Sequence, residues 1–247
     1  MAVIAFMMTL SASAQFYIYF SDGTVAKVDS ISMVAPVEKP NSENGHEYVD
    51  LGLPSGLKWA TCNVGANAPE EYGDYFAWGE VKPKDYYDWS TYKWCNGSYD
   101  TQTKYCTNSS YGTVDNKTVL DKEDDAAAVN WGGKWRIPTK AEQDELRQQC
   151  TWTWTNQNGV RGYTVTGSNG NSIFLPAAGC RGDGSLHLVG SYGYYWSSSL
   201  YTGYPNYAYG LYFLSGRVDW SDYASVTTGS PCVQFASRIY PKNGQKV

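Results

Sequence analysis

WGGKWRIPTKAEQDEL, residues 131–146, is the stretch that decides how this chain folds, because it carries the clearest helix-start signal in the sequence. Thr139 and Glu142 form a T-x-x-E capping box, in which the threonine hydroxyl accepts the amide of the third helical residue and the glutamate reaches back to the threonine amide. A Gly-Gly pair interrupts whatever precedes this start, with a tryptophan on either side as a large apolar anchor. The pattern predicts a fixed turn that leads into a helix from Thr139 to about Cys150.

Strands are predicted on both sides of this segment. Upstream, residues 47–51 and 57–62 are strand-like, with a Pro-Ser-Gly turn between them. Downstream, the alternation in TWTWT places Trp152 and Trp154 on one face of a strand, and Asn158-Gly159 then turns the chain back. Further short strands continue through 191–240. Antiparallel pairing is the expected arrangement.

The region between these strands shows little periodicity. From Asn63 to Asn116 the sequence predicts mostly loop with short strands. Asp121 then stands before KEDDAAAVN, where it is predicted to cap a first short helix whose acidic residues occupy the first turn. The predicted fold class is therefore α+β, with two short helices, antiparallel strands and long loops.

Six separated segments carry a family resemblance: EYVDLGLPSGLKWATCNVGA (47–66), FAWGE (76–80), WGGKWRIPTKAE (131–142), CTWTWTNQNGVRGYTVTG (150–167), NSIFLPAAG (171–179) and GYYWSSS (193–199). In this order they resemble the Fibrobacter succinogenes major paralogous domain family, which has a C-type lectin-like fold and is abundant in secreted proteins of gut Bacteroidetes. The resemblance covers roughly residues 47–240 and implies that fold for them. It implies less about function, because one fold hosts many functions.

The ends of the chain predict an exported protein with a small appendage. Residues 1–14, an apolar run followed by SASA, resemble a signal peptide cleaved before Gln15; a buried N-terminal strand is the alternative. The other predicted segments are a β-hairpin at 15–34 that turns at Asp22-Gly23, a linker at 35–46, the main domain at 47–240 and a tail at 241–247. No other segment reaches the roughly 18 apolar residues of a membrane span. The predicted location is therefore secreted or cell-surface, without a transmembrane span.

Composition excludes several classes of partner and cofactor. The chain has 247 residues and a net charge of -5, which argues against a nucleic-acid partner because phosphate binding needs clustered positive charge. Six cysteines in an exported protein favour disulfides, with Cys95–Cys106 as the first candidate pair and free thiols as the alternative. The absence of a C-x-x-C pair and the presence of two histidines argue against zinc. No cofactor and no metal site are predicted.

Catalysis is not predicted either. His46 and His187 stand in linker and Gly-rich surroundings, without a recognisable nucleophile beside them. WRIPTKAE also resembles the RLPTEAEWE segment of formylglycine-generating enzymes, which share the fold. Their activity requires a cysteine pair near the C-terminus, where this chain has Cys232 alone.

Two short motifs offer alternative binding functions. Tyr204-Pro205-Asn206 and Trp220-Ser221-Asp222 stand roughly where calcium-dependent lectins of this fold carry E-P-N and W-N-D motifs. Two of the oxygen ligands that calcium requires are lost in these replacements, so the preferred interpretation is that the similarity to the lectin motifs arose by chance. Arg181-Gly182-Asp183 has the form of an integrin-type tripeptide, which a Gly-rich loop also generates by chance.

The C-terminal region carries the predicted function. Nine of the 22 tyrosines fall between Tyr192 and Tyr223, interleaved with serines 197–199 and with Asn, Asp and Gly. Tyrosine contributes broad contact at low entropic cost, and small polar residues supply adaptable hydrogen bonds, as in antibody paratopes. The alternation places Tyr207 and Tyr209 on one strand face, displayed together or buried together. The predicted ligand contacts are Tyr194, Tyr201, Tyr204, Asn206, Tyr207, Tyr209, Asp219, Trp220, Asp222 and Tyr223.

The predicted function is that of a secreted or surface-exposed, non-catalytic recognition protein that binds a protein or glycan on a cell or phage surface. A structural component of a surface assembly and a calcium-dependent lectin are the alternatives. In proteins that resemble this one, the same C-terminal region is the target of diversity-generating retroelements, which mutate adenines and so favour Tyr, Ser, Asn, Asp and Gly. The resemblance adds such diversification as a further interpretation.

Overall fold

The computed structural model describes residues 16–19, 24–28, 41–231 and 235–236. The chain forms two compact units, Met1–Glu38 and Lys39–Val247. In the first unit, β1 (Phe16–Tyr19) pairs antiparallel with β2 (Val25–Val28). The predicted Asp22-Gly23 turn, signal peptide and C-terminal tail lie outside the described residues.

The second unit consists mostly of short antiparallel strands. Its elements in chain order are β3 (Ser42–Glu43), β4 (His46–Asp50), β5 (Lys58–Ala60), β6 (Tyr75–Phe76), a 3₁₀ turn (Lys122–Asp124), α1 (Ala126–Trp131), β7 (Trp135–Arg136), α2 (Lys140–Gln149), β8 (Thr151–Gln157), β9 (Val160–Thr166), β10 (Ser172–Pro176), β11 (Cys180–Gly182), β12 (Ser185–His187), β13 (Tyr192–Leu200), β14 (Tyr207–Leu214), β15 (Arg217–Ser225), β16 (Ser230–Pro231) and β17 (Phe235–Ala236). The predicted class, α+β with two short helices and antiparallel strands, is confirmed for the described residues. None of the helices described is both long and apolar enough to cross a membrane.

The segment that the sequence marks as central has the predicted local structure. Glu142 N donates to Thr139 Oγ1 over 3.4 Å, and Thr139 N donates to the Glu142 carboxylate over 2.7 Å, which closes the capping box at the start of α2. Trp135 is 1% exposed and donates its indole N–H to Glu43 O over 2.7 Å. The Gly-Gly pair before it has positive φ angles of 66° and 59°, a conformation that glycine adopts without strain. α2 therefore begins where predicted, and Trp135 lies in the core.

The cap predicted for the first helix is wrong. Asp121 makes no side-chain capping hydrogen bond, and the residues after it form the 3₁₀ turn. α1 begins after Asp125, whose Oδ1 accepts from Ala127 N at 2.9 Å and from Ala128 N at 3.0 Å, while Oδ2 accepts from Ile137 N at 2.8 Å. Asp125 is only 4% exposed. One buried carboxylate thus caps α1 and connects its first turn to the chain just before α2. The hydrogen bond from Ile137 N is available to Asp125 and not to Asp121, which explains why Asp125 is the cap.

The predicted linker of 35–46 extends too far. Its last residues form the β3–β4 hairpin, in which Asn44 and Gly45 have φ angles of 48° and 85°. Positive φ at both central residues is what a tight hairpin turn requires, and Asn-Gly supplies it. The His46 ring stacks on the Trp131 indole, with ring centroids 3.9 Å apart. Residues 41–46, interpreted as the end of a linker, therefore belong to a hairpin of the second unit.

The stretch 63–116 is mostly loop, as predicted, and buried polar groups hold it in place. The carboxylate of Asp124, just before α1, accepts from Lys104 Nζ at 2.5 Å, from Tyr105 OH at 2.7 Å and from Lys93 Nζ at 3.1 Å. Burial raises the pKa of Asp124, but these hydrogen bonds lower it by more, so the pKa of this carboxyl lies below its ordinary value. The long loop is thus anchored by one buried anion.

The sheet formed by β13, β14 and β15 lies between two core clusters. Neighbouring residues of a strand point to opposite faces. Trp196 accordingly packs in one cluster with Trp78, while Tyr195 packs in the other with Trp59 and Phe213. Both faces of this sheet therefore contribute to the core over part of their length.

The predicted tryptophan pair of β8 is confirmed. The rings of Trp152 and Trp154 lie 5.6 and 5.1 Å from the Tyr163 ring of the neighbouring strand, and both lie 6.4 Å from Phe213. The pair therefore shares one face and covers the second core cluster.

The five cysteines in the described part of the chain are free thiols: Cys62, Cys95, Cys106, Cys150 and Cys180. The Cys95 thiol donates to Trp89 O over 3.1 Å and the Cys106 thiol to Asn108 O over 3.1 Å, so the candidate bridge between them is not formed. Burial raises the pKa of the Cys150 thiol to about 11. The Cys150 thiol therefore stays protonated at neutral pH.

Candidate binding face on the C-terminal sheet

The C-terminal sheet divides the predicted contact residues between two faces. In the β13–β14 register Tyr194 lies opposite Tyr212, and Trp196 lies opposite Gly210. Because side chains alternate, one face, here called the pocket face, carries Tyr192, Tyr194, Trp196, Ala208, Gly210 and Tyr212. The other, here called the helix face, carries Tyr195, Tyr207, Tyr209, Leu211 and Phe213, and Leu146 of α2 packs in the same cluster as its core residues. The tyrosine-rich region is therefore two surfaces.

Three tyrosines form a continuous aromatic cluster on the pocket face. The ring centroids of Tyr192 and Tyr194 are 6.2 Å apart, those of Tyr192 and Tyr212 are 5.8 Å apart, and those of Tyr194 and Tyr212 are 5.1 Å apart. All three side chains are half-buried. Mutual packing restricts their rotamers, so a ligand that covers them loses little further side-chain entropy to their ordering.

A cavity of about 140 Å³ opens beside this cluster, lined by Tyr194, Tyr212, Trp196, Gly210, Ala224 and Ser230 among others. The Trp196 indole is fixed, because its N–H donates to Phe76 O over 2.9 Å. A side chain at Gly210 would begin 2.9 Å from Tyr195 O, so glycine both avoids that contact and leaves the space open. An apolar cavity of about 150 Å³ is large enough for a benzene ring. The cavity therefore has room for one apolar group.

A second tyrosine cluster lies at the end of the helix face. Tyr201 stacks on Tyr204 with ring centroids 6.0 Å apart and meets Tyr209 edge-on at 5.2 Å. Lys140 Nζ, from α2, lies 5.4 Å from the Tyr209 ring centroid. Tyr204 is 52% exposed, whereas Tyr201, Tyr207 and Tyr209 are half-buried. Tyr207 and Tyr209 thus share a face, as predicted, but not the face of Tyr194.

The described side chains include two of the predicted polar contacts, Asn206 and Asp219. Asn206 is half-buried, and its backbone carbonyl accepts from Val226 N at 3.2 Å. Its Oδ1 is buried without a hydrogen-bond partner among the described residues. Asp219 accepts from the Arg217 guanidinium at 2.6 Å. Trp220, Asp222 and Tyr223 belong to β15, but their side chains lie outside the described part of the structure.

Several residues of the region interpreted as display positions are core residues. Ser197 and Ser198 are buried; the Ser197 hydroxyl donates to Tyr209 O over 2.9 Å, and Ser198 N donates to Pro138 O over 2.8 Å. Tyr195 is also buried and donates its hydroxyl to Pro176 O over 2.6 Å. Conversely, sequence reasoning omitted Tyr192 and Tyr212 from the contacts. The two-residue spacing from Tyr194 is the signal that identifies Tyr192, whereas Tyr212 requires the strand register.

The two histidines lie in different surroundings. Burial on the Trp131 indole lowers the pKa of His46, and His187 Nε2 lies 3.4 Å from Gly182 O on an exposed hairpin. Neither imidazole is hydrogen-bonded to a serine or cysteine of the described chain. No group of three or more His, Cys, Asp and Glu side chains suited to a metal ion occurs in this part of the chain. Of the two tyrosine clusters described, the one on the pocket face lies beside a cavity.

Comparison of the chain with protein-family models, with curated proteins and with solved structures gives no match.

Proposed function

We propose that this chain is a non-catalytic recognition protein, secreted or surface-exposed, that has a C-type lectin-like fold and binds a protein or glycan on a cell or phage surface. The six sequence segments, in their order, support the finer fold assignment. The α+β architecture with two short helices and a long loop held by buried polar groups is compatible with it.

The observation that carries this proposal is the aromatic cluster beside an open cavity on the pocket face. Interfaces concentrate their binding energy in a few aromatic anchors near well-packed pockets. Tyr194 and Tyr212 combine both features, because their rings pack together at 5.1 Å and both line the cavity. A ligand that places one apolar group in the cavity would cover both rings.

The division of the sheet also supports retroelement diversification as part of the proposal. Substitution at Tyr192, Tyr194 and Tyr212 changes the open part of the pocket face, whereas Trp196 and Phe213 are buried in the core. A recognition surface can vary only where the fold does not depend on the side chain. A near-repeat of the codons for 192–229 that differs at adenines, beside a reverse transcriptase gene, would support this part; a repeat that differs mainly at core codons would contradict it.

The direct test is a binding screen with matched variants. The purified chain is screened against a glycan array and against intact gut bacterial cells, and the affinity for each hit is measured for Tyr212→Ala, Tyr194→Ala and Tyr204→Ala. We expect Tyr212→Ala or Tyr194→Ala to weaken binding by about 2 kcal/mol or more, as at interface hot spots. Tyr204→Ala is the control, because this exposed tyrosine lies in the other cluster. Loss of binding in the Tyr204 variant alone would move the site to the helix face, and the absence of any hit would count against recognition.

A further inference from the structure

A second cavity, of about 270 Å³, lies apart from the pocket face and shares none of its described lining residues. Its walls include the tyrosines Tyr75 and Tyr87, and its rim carries the charged side chains Asp74, Lys84, Asp85 and Arg181. A volume slightly below the range of about 300–1,000 Å³ that drug-sized ligands occupy suits a small molecule. The cavity is therefore a candidate small-molecule site.

The aromatic walls of this cavity are held in place before any ligand arrives. The Tyr75 hydroxyl donates to Ala178 O over 2.6 Å, and the Tyr87 hydroxyl donates to Tyr75 O over 2.6 Å while it accepts from Lys84 N at 3.1 Å. Both rings are buried. A preformed site avoids the conformational entropy that a flexible site loses when it becomes ordered on binding.

Arg181 differs from the other cation of the rim. Lys84 Nζ is already committed, since it donates to Glu80 Oε1 and to Thr91 O, each over 2.9 Å. The Arg181 guanidinium lies 5.5 Å over the Tyr75 ring, and no described residue forms an ion pair with it. Its backbone is fixed by paired hydrogen bonds with Gly229, at 2.6 and 2.8 Å. Arg181 is therefore a half-buried cation that lies over an aromatic wall and lines the cavity.

This placement also bears on the Arg-Gly-Asp motif. Adhesion through such a tripeptide needs the arginine and the aspartate displayed together. Here Arg181 lies against Tyr75, while Asp183 stands at the β11–β12 turn with a φ angle of 51°. The motif is therefore divided between a cavity and a turn.

The charges around the cavity select the class of ligand. A guanidinium binds a carboxylate or a phosphate through two parallel hydrogen bonds. Asp74 and Asp85 lie on the same rim, so a doubly charged anion such as phosphate would meet two like charges. Because the Lys84–Glu80 pair is neutral overall, the rim charges that have no ion-pair partner among the described residues are one positive and two negative. A ligand with one carboxylate and one ammonium group complements both signs.

We propose that this cavity binds a small zwitterion of the α-amino acid class, a free amino acid or a dipeptide, with its carboxylate on Arg181 and its ammonium group toward Asp74 and Asp85. The site is independent of the ligand proposed for the pocket face. The carboxylate would replace water at the guanidinium, and the aspartates would accept from the ammonium group.

The test uses the full chain and isothermal titration calorimetry with the twenty L-amino acids and L-alanyl-L-alanine at millimolar concentration. For the tightest binder, its C-terminal amide, its N-acetyl derivative, glucuronate and inorganic phosphate are titrated in parallel. We expect the amide, which lacks the carboxylate, and the N-acetyl derivative, which lacks the ammonium group, each to bind about tenfold more weakly or worse, since each loses hydrogen bonds between charged groups.

The variants are Arg181→Gln, which removes the charge, and Arg181→Lys, which keeps the charge but loses the planar fork. Both substitutions should weaken binding at least about tenfold. Asp74→Asn should reduce the difference in affinity between the zwitterion and its N-acetyl derivative, because the variant has lost one partner of the ammonium group. Arg161→Gln is the matched control, because Arg161 is exposed on β9 and does not line the cavity. Circular dichroism confirms that each variant is folded. No saturable binding of any amino acid or dipeptide, tighter binding of glucuronate or phosphate, or unchanged binding in both Arg181 variants would overturn the proposal.

Discussion

Loss of the Asp125 side chain should strongly destabilise the second unit. Replacement by alanine removes the acceptor of three amide groups, those of Ala127, Ala128 and Ile137, which now bond to it at 2.9, 3.0 and 2.8 Å. Each N–H left buried without a partner costs about 1–3 kcal/mol, and loss of an N-cap alone costs about 1 kcal/mol. Water that enters the vacated volume can bond to some of these amides and offset part of the cost. We therefore expect the free energy of unfolding to fall by about 3–5 kcal/mol. That is a large share of the roughly 5–15 kcal/mol by which folded proteins are stable.

Urea unfolding, followed by tryptophan fluorescence and far-ultraviolet circular dichroism, measures this loss. Asp121→Ala is the matched control, because this aspartate lies in the same segment, is 26% exposed and forms surface ion pairs with Lys104 and Lys117. Such pairs contribute about 0–1 kcal/mol. Asp125→Asn should fall between the two alanine variants, since its amide keeps one acceptor for the helix but directs a donor at Ile137 N. Equal losses for Asp121→Ala and Asp125→Ala would refute the reasoning.

Three further predictions test the core, the long loop and metal dependence. Trp135→Ala should cost about 3–5 kcal/mol in urea unfolding, as large core truncations do, whereas Thr139→Ala should cost about 1 kcal/mol; equally mild effects would show that the central segment does not organise the fold. The pKa of Asp124 is lower in the folded protein than its ordinary value of 3.8, so its contribution to stability is complete above that value and is lost as the pH falls through the folded value. Urea midpoints measured against pH should therefore fall less steeply below about pH 4 in Asp124→Asn than in the natural chain, and an unchanged slope would contradict this assignment. Calcium and chelator should leave the melting temperature unchanged, because calcium sites in proteins are built largely on carboxylates and the described residues contain no group of three or more His, Cys, Asp and Glu side chains suited to a metal ion; stabilisation by millimolar calcium would revive the lectin alternative.

Local signals predicted the features whose partners lie close together in sequence. The Thr139 and Glu142 capping box joins residues three positions apart, and the shared face of Trp152 and Trp154 follows from strand alternation alone. The cap assigned to Asp121 is wrong, because Asp121 and Asp125 stand in one acidic run with similar capping potential. The Ile137 amide, on the far side of α1, distinguishes them.

In the candidate site, too, local sequence patterns do not assign the roles of single residues. Composition identifies the tyrosine-rich segment, but Tyr194 and Tyr195 are chemically identical neighbours with opposite positions, one on the open part of the pocket face and one in the core. From sequence alone Ser197 resembles a surface contact residue, but strand pairing buries it and its hydroxyl donates to Tyr209 O. The strand register between β13 and β14 assigns these roles, and it depends on residues that a local pattern does not include.

By itself, the sequence determined the fold class, the start of α2 and the segment in which to search for a binding surface. Caps, turns and alternation act over a few residues, so the information is local. Tertiary structure alone decided which tyrosines face the cavity beside Tyr212, and it placed Arg181 on the Tyr75 ring. Exposure and charge pairing are set by whatever packs against a side chain, and in this chain those neighbours come from distant parts of the sequence.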